Sequence, residues 1–138
     1  MSALILNSKV KQQLDSGYFE IFQTMPERYF SAPGRTEISG NHTDHQHGCV
    51  LAGAVDLETI ADVTLNGTDL IRVLSDGFPP VEVKLSDLYP RREEYNTTAA
   101  LVRGVAAAFD QRGAKLQGID TVVHSPVLPG SGVSSSAA

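Results

Sequence analysis

The sequence predicts an α+β fold. Short apolar strand patterns come first and the best helix pattern comes later, which favours α+β over a doubly wound sheet. Val63 and Leu65 alternate with polar residues, as do Val81, Val83 and Leu85, the pattern of half-buried antiparallel strands. A final strand pattern runs into a glycine loop at the end of the sequence.

The elements follow in order. Ser8 to Phe22 reads as a helix, with Val10, Leu14, Tyr18 and Phe22 at helix-compatible spacing and a weak point at Gly17. Pro26 and Pro33 are expected to break the chain. Thr36 to Gly40 and Cys49 to Asp56 are apolar-rich pieces around a polar turn, Asn41 to Gly48, and predict a hairpin with a long polar connection. Glu58 to Leu65, Leu70 to Leu74 and Val81 to Leu85 predict further strands, separated by Gly67 and by Asp76-Gly77-Phe78-Pro79-Pro80. Glu93 to Gln111 is the best helix, with Leu101, Val105, Ala108 and Phe109 along one face and Gly113 as a stop signal. Ile119 to His124 reads as a strand, Pro129 to Gly132 as a glycine loop, and Ser134 to Ala138 as the start of a helix. That start is barely one turn, which is unstable alone, and no terminator follows it. The expectation is a domain cut just inside this loop and helix.

Composition narrows the function classes. The 138 residues suit one modest domain or part of a larger one, and 41% apolar content is ordinary for a globular chain. A net charge of −5 without a Lys/Arg block argues against nucleic-acid and membrane-surface partners, which need a concentrated positive field. Cys49 is the single cysteine, so neither an intrachain disulfide nor a thiolate zinc site forms. The apolar run Ala3 to Leu6 is too short for a signal-peptide core, and no stretch approaches transmembrane length. A reducing cytoplasm is the expected location. Oligomeric state is not legible.

Two segments carry chemistry. In the first, Pro129 to Ala138, Gly130 and Gly132 let backbone approach a ligand, and Ser134, Ser135 and Ser136 sit at a helix start. Free N–H groups and the positive end of the helix dipole make such a start an anion site, and serine hydroxyls can ligate Mg²⁺ between phosphates. No Gly-Lys-Ser/Thr follows, so this is not a Walker loop. The same residues also suit a solvated turn with a serine N-cap. The second segment, Ala32 to Gly48, gathers Arg35, Glu37, Asn41, His42, Asp44, His45, Gln46 and His47 between apolar strands. Carboxylates, amides and imidazoles together suit a polyhydroxylated small molecule, and a guanidinium can stabilise transferring phosphoryl charge. A metal site is a second reading, because His42, Asp44, His45 and His47 offer imidazoles and a carboxylate. The metallo-β-lactamase pattern His-x-His-x-Asp-His fails, since Gly40 stands where its first histidine belongs. Solvation of a loop is a third.

These segments resemble the galactokinase branch of the GHMP kinases. Ala32 to Gly48 is similar to the signature G-R-V-N-L-I-G-E-H-T-D-Y-x-x-G, with Gly34, Arg35, Gly40, His42, Thr43, Asp44 and Gly48 in register. Pro129 to Ala138 is similar to the GHMP phosphate loop P-x-G-x-G-L-x-S-S-A, with Val133 for Leu. Tyr18 to Pro33 resembles that family's leader, and Leu101-Val102-Arg103-Gly104-Val105 resembles its Y-V-K-G-V helix, on the nucleotide-facing side of the domain. Thr36-Glu37, Ser39 and His45 depart from the signature, and Asn41 stands where the family usually has a sugar-binding Glu.

The resemblance implies the N-terminal part of a GHMP kinase, a ribosomal protein S5 domain 2-like α+β fold. The signature region would span about 18–56 and the start of the GHMP kinase N-terminal domain about 94–138, with the C-terminal remainder absent. It implies ATP- and Mg²⁺-dependent phosphorylation of the anomeric hydroxyl of galactose or a related hexose, with the sugar and ATP as partners. Arg35 would be catalytic, Asn41, His42 and Asp44 would bind sugar, and Gly130, Ser131, Gly132, Val133, Ser134, Ser135 and Ser136 would hold the ATP phosphates. Ser135 and Ser136 would also meet the metal. The family's catalytic aspartate and third glycine motif would lie beyond Ala138, so residues 1–138 alone are expected to be inactive. A non-catalytic sugar sensor on the same fold is the alternative.

Overall fold

The computed structural model describes residues 8–40 and 47–126, with side chains from residue 11. The first helix, α1, runs Ser8–Phe22 as its spacing predicts. Leu14 and Tyr18, four apart, are buried, and the Phe22 ring lies 4.9 Å from that of Tyr18. The glycine loop and the start of a helix at 134–138 lie outside the described residues.

Strands β1 (Arg28–Ser39), β2 (Leu51–Leu65), β3 (Leu70–Ser75), β4 (Val81–Lys84) and β5 (Ile119–His124) form one sheet in the order β1-β2-β5-β3-β4. All neighbours are antiparallel except β3 and β5, which run parallel. The mixed α+β topology agrees with the sequence expectation, but four details differ. Pro33 does not break the chain: it lies inside β1, at a register irregularity. β1 is an edge strand, where a residue without an N–H is tolerated. The pieces Cys49–Asp56 and Glu58–Leu65 join into the single strand β2. That strand turns Ile60, Asp62 and Thr64 inward, while Leu65 is half exposed.

The fourth difference concerns the second helix. The α-helix α2 spans Thr98–Gln111 and starts later than expected, because a short 3-10 helix at Arg92–Glu94 and a positive φ at Asn96 precede it. Thr97 caps α2 by accepting from the Ala100 N–H. Its inward residues are Arg103 and Ala106, whereas Leu101, Val105 and Phe109 are each more than half exposed. Gly113 (φ +77°) ends the element, as predicted. α2 packs against β4, where Val83 is fully buried.

Helix α1 covers the other side of the alternation. The Tyr18 hydroxyl donates to the Asp120 carbonyl of β5 at 3.1 Å. Arg72 of β3 binds Asp120 through two parallel bonds of 2.6 and 2.7 Å, Asn66 donates to the same carboxylate at 2.7 Å, and the Arg72 guanidinium lies over the Phe22 ring. No helix among the described residues is long and apolar enough to cross a membrane.

Candidate functional site

The β1–β2 hairpin is longer than the rest of the sheet. β5 pairs with β2 only over Ile60–Leu65, while β1 pairs with β2 from Arg28↔Val63 out to Ser39↔Leu51. Residues 32–39 and 51–59 therefore project past the C-terminal end of β5 as a two-stranded arm. Arg35 lies on this arm, paired with Ala54. Its side chain is exposed, while the preceding Gly34 is buried. At the arm's end Gly40 has a φ of +120°, and a Cβ there would stand 2.7 Å from the Val50 Cα and 2.9 Å from the Cys49 carbonyl oxygen. Only glycine suits that crossing.

The chain leaves β5 at the base of the arm. Ser125 pairs its hydroxyl with Thr59 of β2 at 2.8 Å. Thr59 is five residues from Ala54, so Arg35 lies roughly 17 Å along the arm from this exit at the usual strand rise. The turn after β3 reaches the same end: Asp76 receives the His124 imidazole through Nδ1 at 2.5 Å. The described part of the first-strand segment, through Gly40, and the exit of β5 thus share one end of the sheet. Asp76 and His124 carried no signal in the sequence, because a lone Asp in a Gly/Pro turn and a lone His at a strand end are ordinary surface residues.

Of the predicted site residues, Arg35 is described. Asn41, His42 and Asp44, and the loop residues Gly130, Ser131, Gly132, Val133, Ser134, Ser135 and Ser136, lie outside the described residues. Among the described residues no group of three His, Cys, Asp or Glu could hold a metal ion.

The Leu101-to-Val105 motif has a clear structural use. Arg103 is buried, pairs with Glu94 through two 2.7 Å bonds and donates to the Asp87 carbonyl. Arg91 binds the Asp87 carboxylate at 2.5 Å. Hydrogen bonding to Glu94 holds the Arg103 guanidinium up, and the same contact holds Glu94 below the usual carboxylate range. This network ties the 3-10 turn to α2. A groove of about 450 Å³ runs beside it, with Tyr89 and Tyr95 at its rim and Gly104 on its wall.

The arm coincides with a family motif. Residues 16–64 match the galactokinase galactose-binding signature. The chain is 35% identical over 121 residues to the galactokinase of Streptomyces coelicolor, covering 86% of this chain and 31% of the relative. It is 37% identical over 114 residues to that of Bacillus subtilis, covering 80% and 29%. This chain is an N-terminal domain of the galactokinase family. The fold agrees: Lactococcus lactis galactokinase complexed with galactose superposes with a TM-score of 0.81 at 26% identity, over 93% of this chain and 34% of that one. Methanococcus jannaschii mevalonate kinase shares the fold, with a TM-score of 0.63 at 14% identity over 80% of this chain and 36% of that one. The galactokinase-type chain spans about a third of the length of the curated relatives it matches.

Proposed function

We propose that the protein carrying this domain transfers a phosphoryl group from ATP to the anomeric hydroxyl of galactose or a related hexose. The observation that carries this reading is the projecting arm, which bears Arg35 within the galactokinase signature and stands beside the exit of β5. In the reaction the sugar oxygen bonds to the γ-phosphorus, the bond to the ADP oxygen breaks, and the hydroxyl proton passes to a base. Arg35 offsets charge on the transferring group, and Asn41, His42 and Asp44 hold the sugar hydroxyls. Residues Gly130 to Ser136 would hold the triphosphate by backbone N–H groups and hydroxyls, and Ser135 and Ser136 would supply hydroxyls to Mg²⁺. A guanidinium, glycines and serines form a donor set that fits a triphosphate chemically. Mg²⁺, when bound, would offset phosphate charge. The domain boundaries proposed are a sugar-signature region of about 18–56 and a nucleotide region opening at about 94–138. The expected setting is the cytoplasm, with sugar and ATP as partners and neither nucleic acid nor membrane.

Asn41 in the place of the usual Glu favours a second reading, a sensor that binds sugar without turnover. ADP release by the complete protein with ATP, magnesium and a panel of galactose, galactosamine derivatives and other aldoses separates the two. Sugar-dependent release supports the kinase. Calorimetric sugar binding without release identifies the sensor.

A further inference from the structure

Asp62 is fully buried, at 0% exposure, and neither of its carboxylate oxygens has a hydrogen-bond partner among the described residues. It sits on β2 across from Tyr29 of β1 and Val122 of β5, so its side chain shares their sheet face. Helix α1 closes that face. The Asp15 carboxylate accepts from the Tyr29 hydroxyl and, at 2.7 Å, from Lys11 Nζ, and the Lys11 ammonium also lies 4.6 Å from the Tyr29 ring centre. A carboxyl group in such a place is cheap to keep neutral and costly to ionise, because an unpaired buried charge loses its hydration.

We propose that Asp62 is a proton-operated latch between α1 and the sheet: protonated, it lets α1 close over β2 and β5, and ionised, it loosens that helix. The surrounding charges among the described residues leave it no counter-ion. Lys11 is committed to Asp15 and Tyr29, Arg72 is committed to Asp120, and Tyr18 donates to a backbone carbonyl. His124, farther along β5 on this face, is engaged by Asp76. Burial pushes the Asp62 carboxyl up to about 6, the Asp15 charge adds to the rise, and Lys11 opposes it. The group's folded value thus lies above its ordinary 3.8. The latch is fully closed below about pH 4, weakens as pH rises through about 6, and is constant above that.

The test is hydrogen exchange of the α1 amides in the complete protein, corrected for intrinsic exchange rates. Between pH 5 and 7.5 the opening equilibrium of α1 rises about tenfold in the wild type. In Asp62→Asn, and in the apolar Asp62→Leu should the amide fold poorly, that rise disappears. Asp15→Asn moves the wild-type transition to lower pH, since a neighbouring negative charge is gone. A flat wild-type profile, or an unchanged slope in the Asp62 variants, overturns the latch. Sugar and ATP play no part in the measurement, so its outcome is independent of the kinase reading.

Discussion

Two residues of the signature, Arg35 and Asn41, divide the proposed chemistry into turnover and binding. Arg35 is an exposed strand residue, and a cation placed near a transferring phosphoryl group interacts most strongly with the charge of the transition state. Arg35→Ala in the complete protein is expected to lower kcat much more than it raises the sugar KM, measured by steady-state ADP release. A change confined to KM would make Arg35 a sugar-binding residue. Asn41 differs in kind. Under the proposed reading its amide would give a sugar hydroxyl a neutral partner, where a carboxylate would give a charge-assisted one. Asn41→Glu is expected to tighten galactose binding by about 1 kcal/mol, read by calorimetry, and a loss of affinity would mean a pocket shaped for another ligand.

At the scale of elements, the second helix owes its start to Thr97. The hydroxyl accepts from the Ala100 N–H at 3.3 Å, immediately after a 3-10 turn that would otherwise run on. Thr97→Ala is expected to destabilise the domain by about 1 kcal/mol in urea unfolding, and Thr97→Ser to restore it. This cap also explains why the helix pattern in the sequence begins too early: Glu93 and Glu94 look like first-turn acids, but Glu94 is held outside α2 by Arg103. Elements set by local signals were legible. Both ends of α1 and of β5 fall where the periodicity puts them. Elements set by their place in the sheet were not. Pro33 reads as a breaker until β1 is known to be an edge, and Leu57 reads as a break between two strand pieces until β2 is known to leave the sheet for the arm. Asp62 was hidden for the same reason. Beside Val63 and Leu65 it reads as an outward residue, and only the position of α1 makes its face the inner one. The proposed site rests on motif register, not on periodicity, and Arg35 is its described member.

For the whole molecule, the relevant fact is length. The domain covers 31% of one galactokinase relative and 29% of another. In the proposed reaction none of Arg35, Asn41, His42 and Asp44 is assigned the hydroxyl proton, so the proposal draws its base from other residues of the complete protein. Residues 1–138 alone are expected to release no sugar-dependent ADP, compared in one assay with the complete protein and with the same fragment carrying Arg35→Ala. Turnover that is abolished by the substitution would show that the domain holds its own base.

The arm also has a mechanical meaning. Beyond Ile60 it has no third strand among the described residues, and a two-stranded ribbon without further support is marginally stable in water. It is a cantilever clamped at Thr59, and its compliance is set apart from that of the sheet. Amides of residues 32–39 and 51–58 are expected to exchange faster than those of 28–31 and 60–65, and sugar should slow the first set selectively; equal protection along the whole hairpin would make it a rigid beam. A compliant arm separates two evolutionary demands. Its signature residues can drift to suit a different sugar while the clamped strands go on folding the domain, so ligand preference and foldability are free to change at different rates.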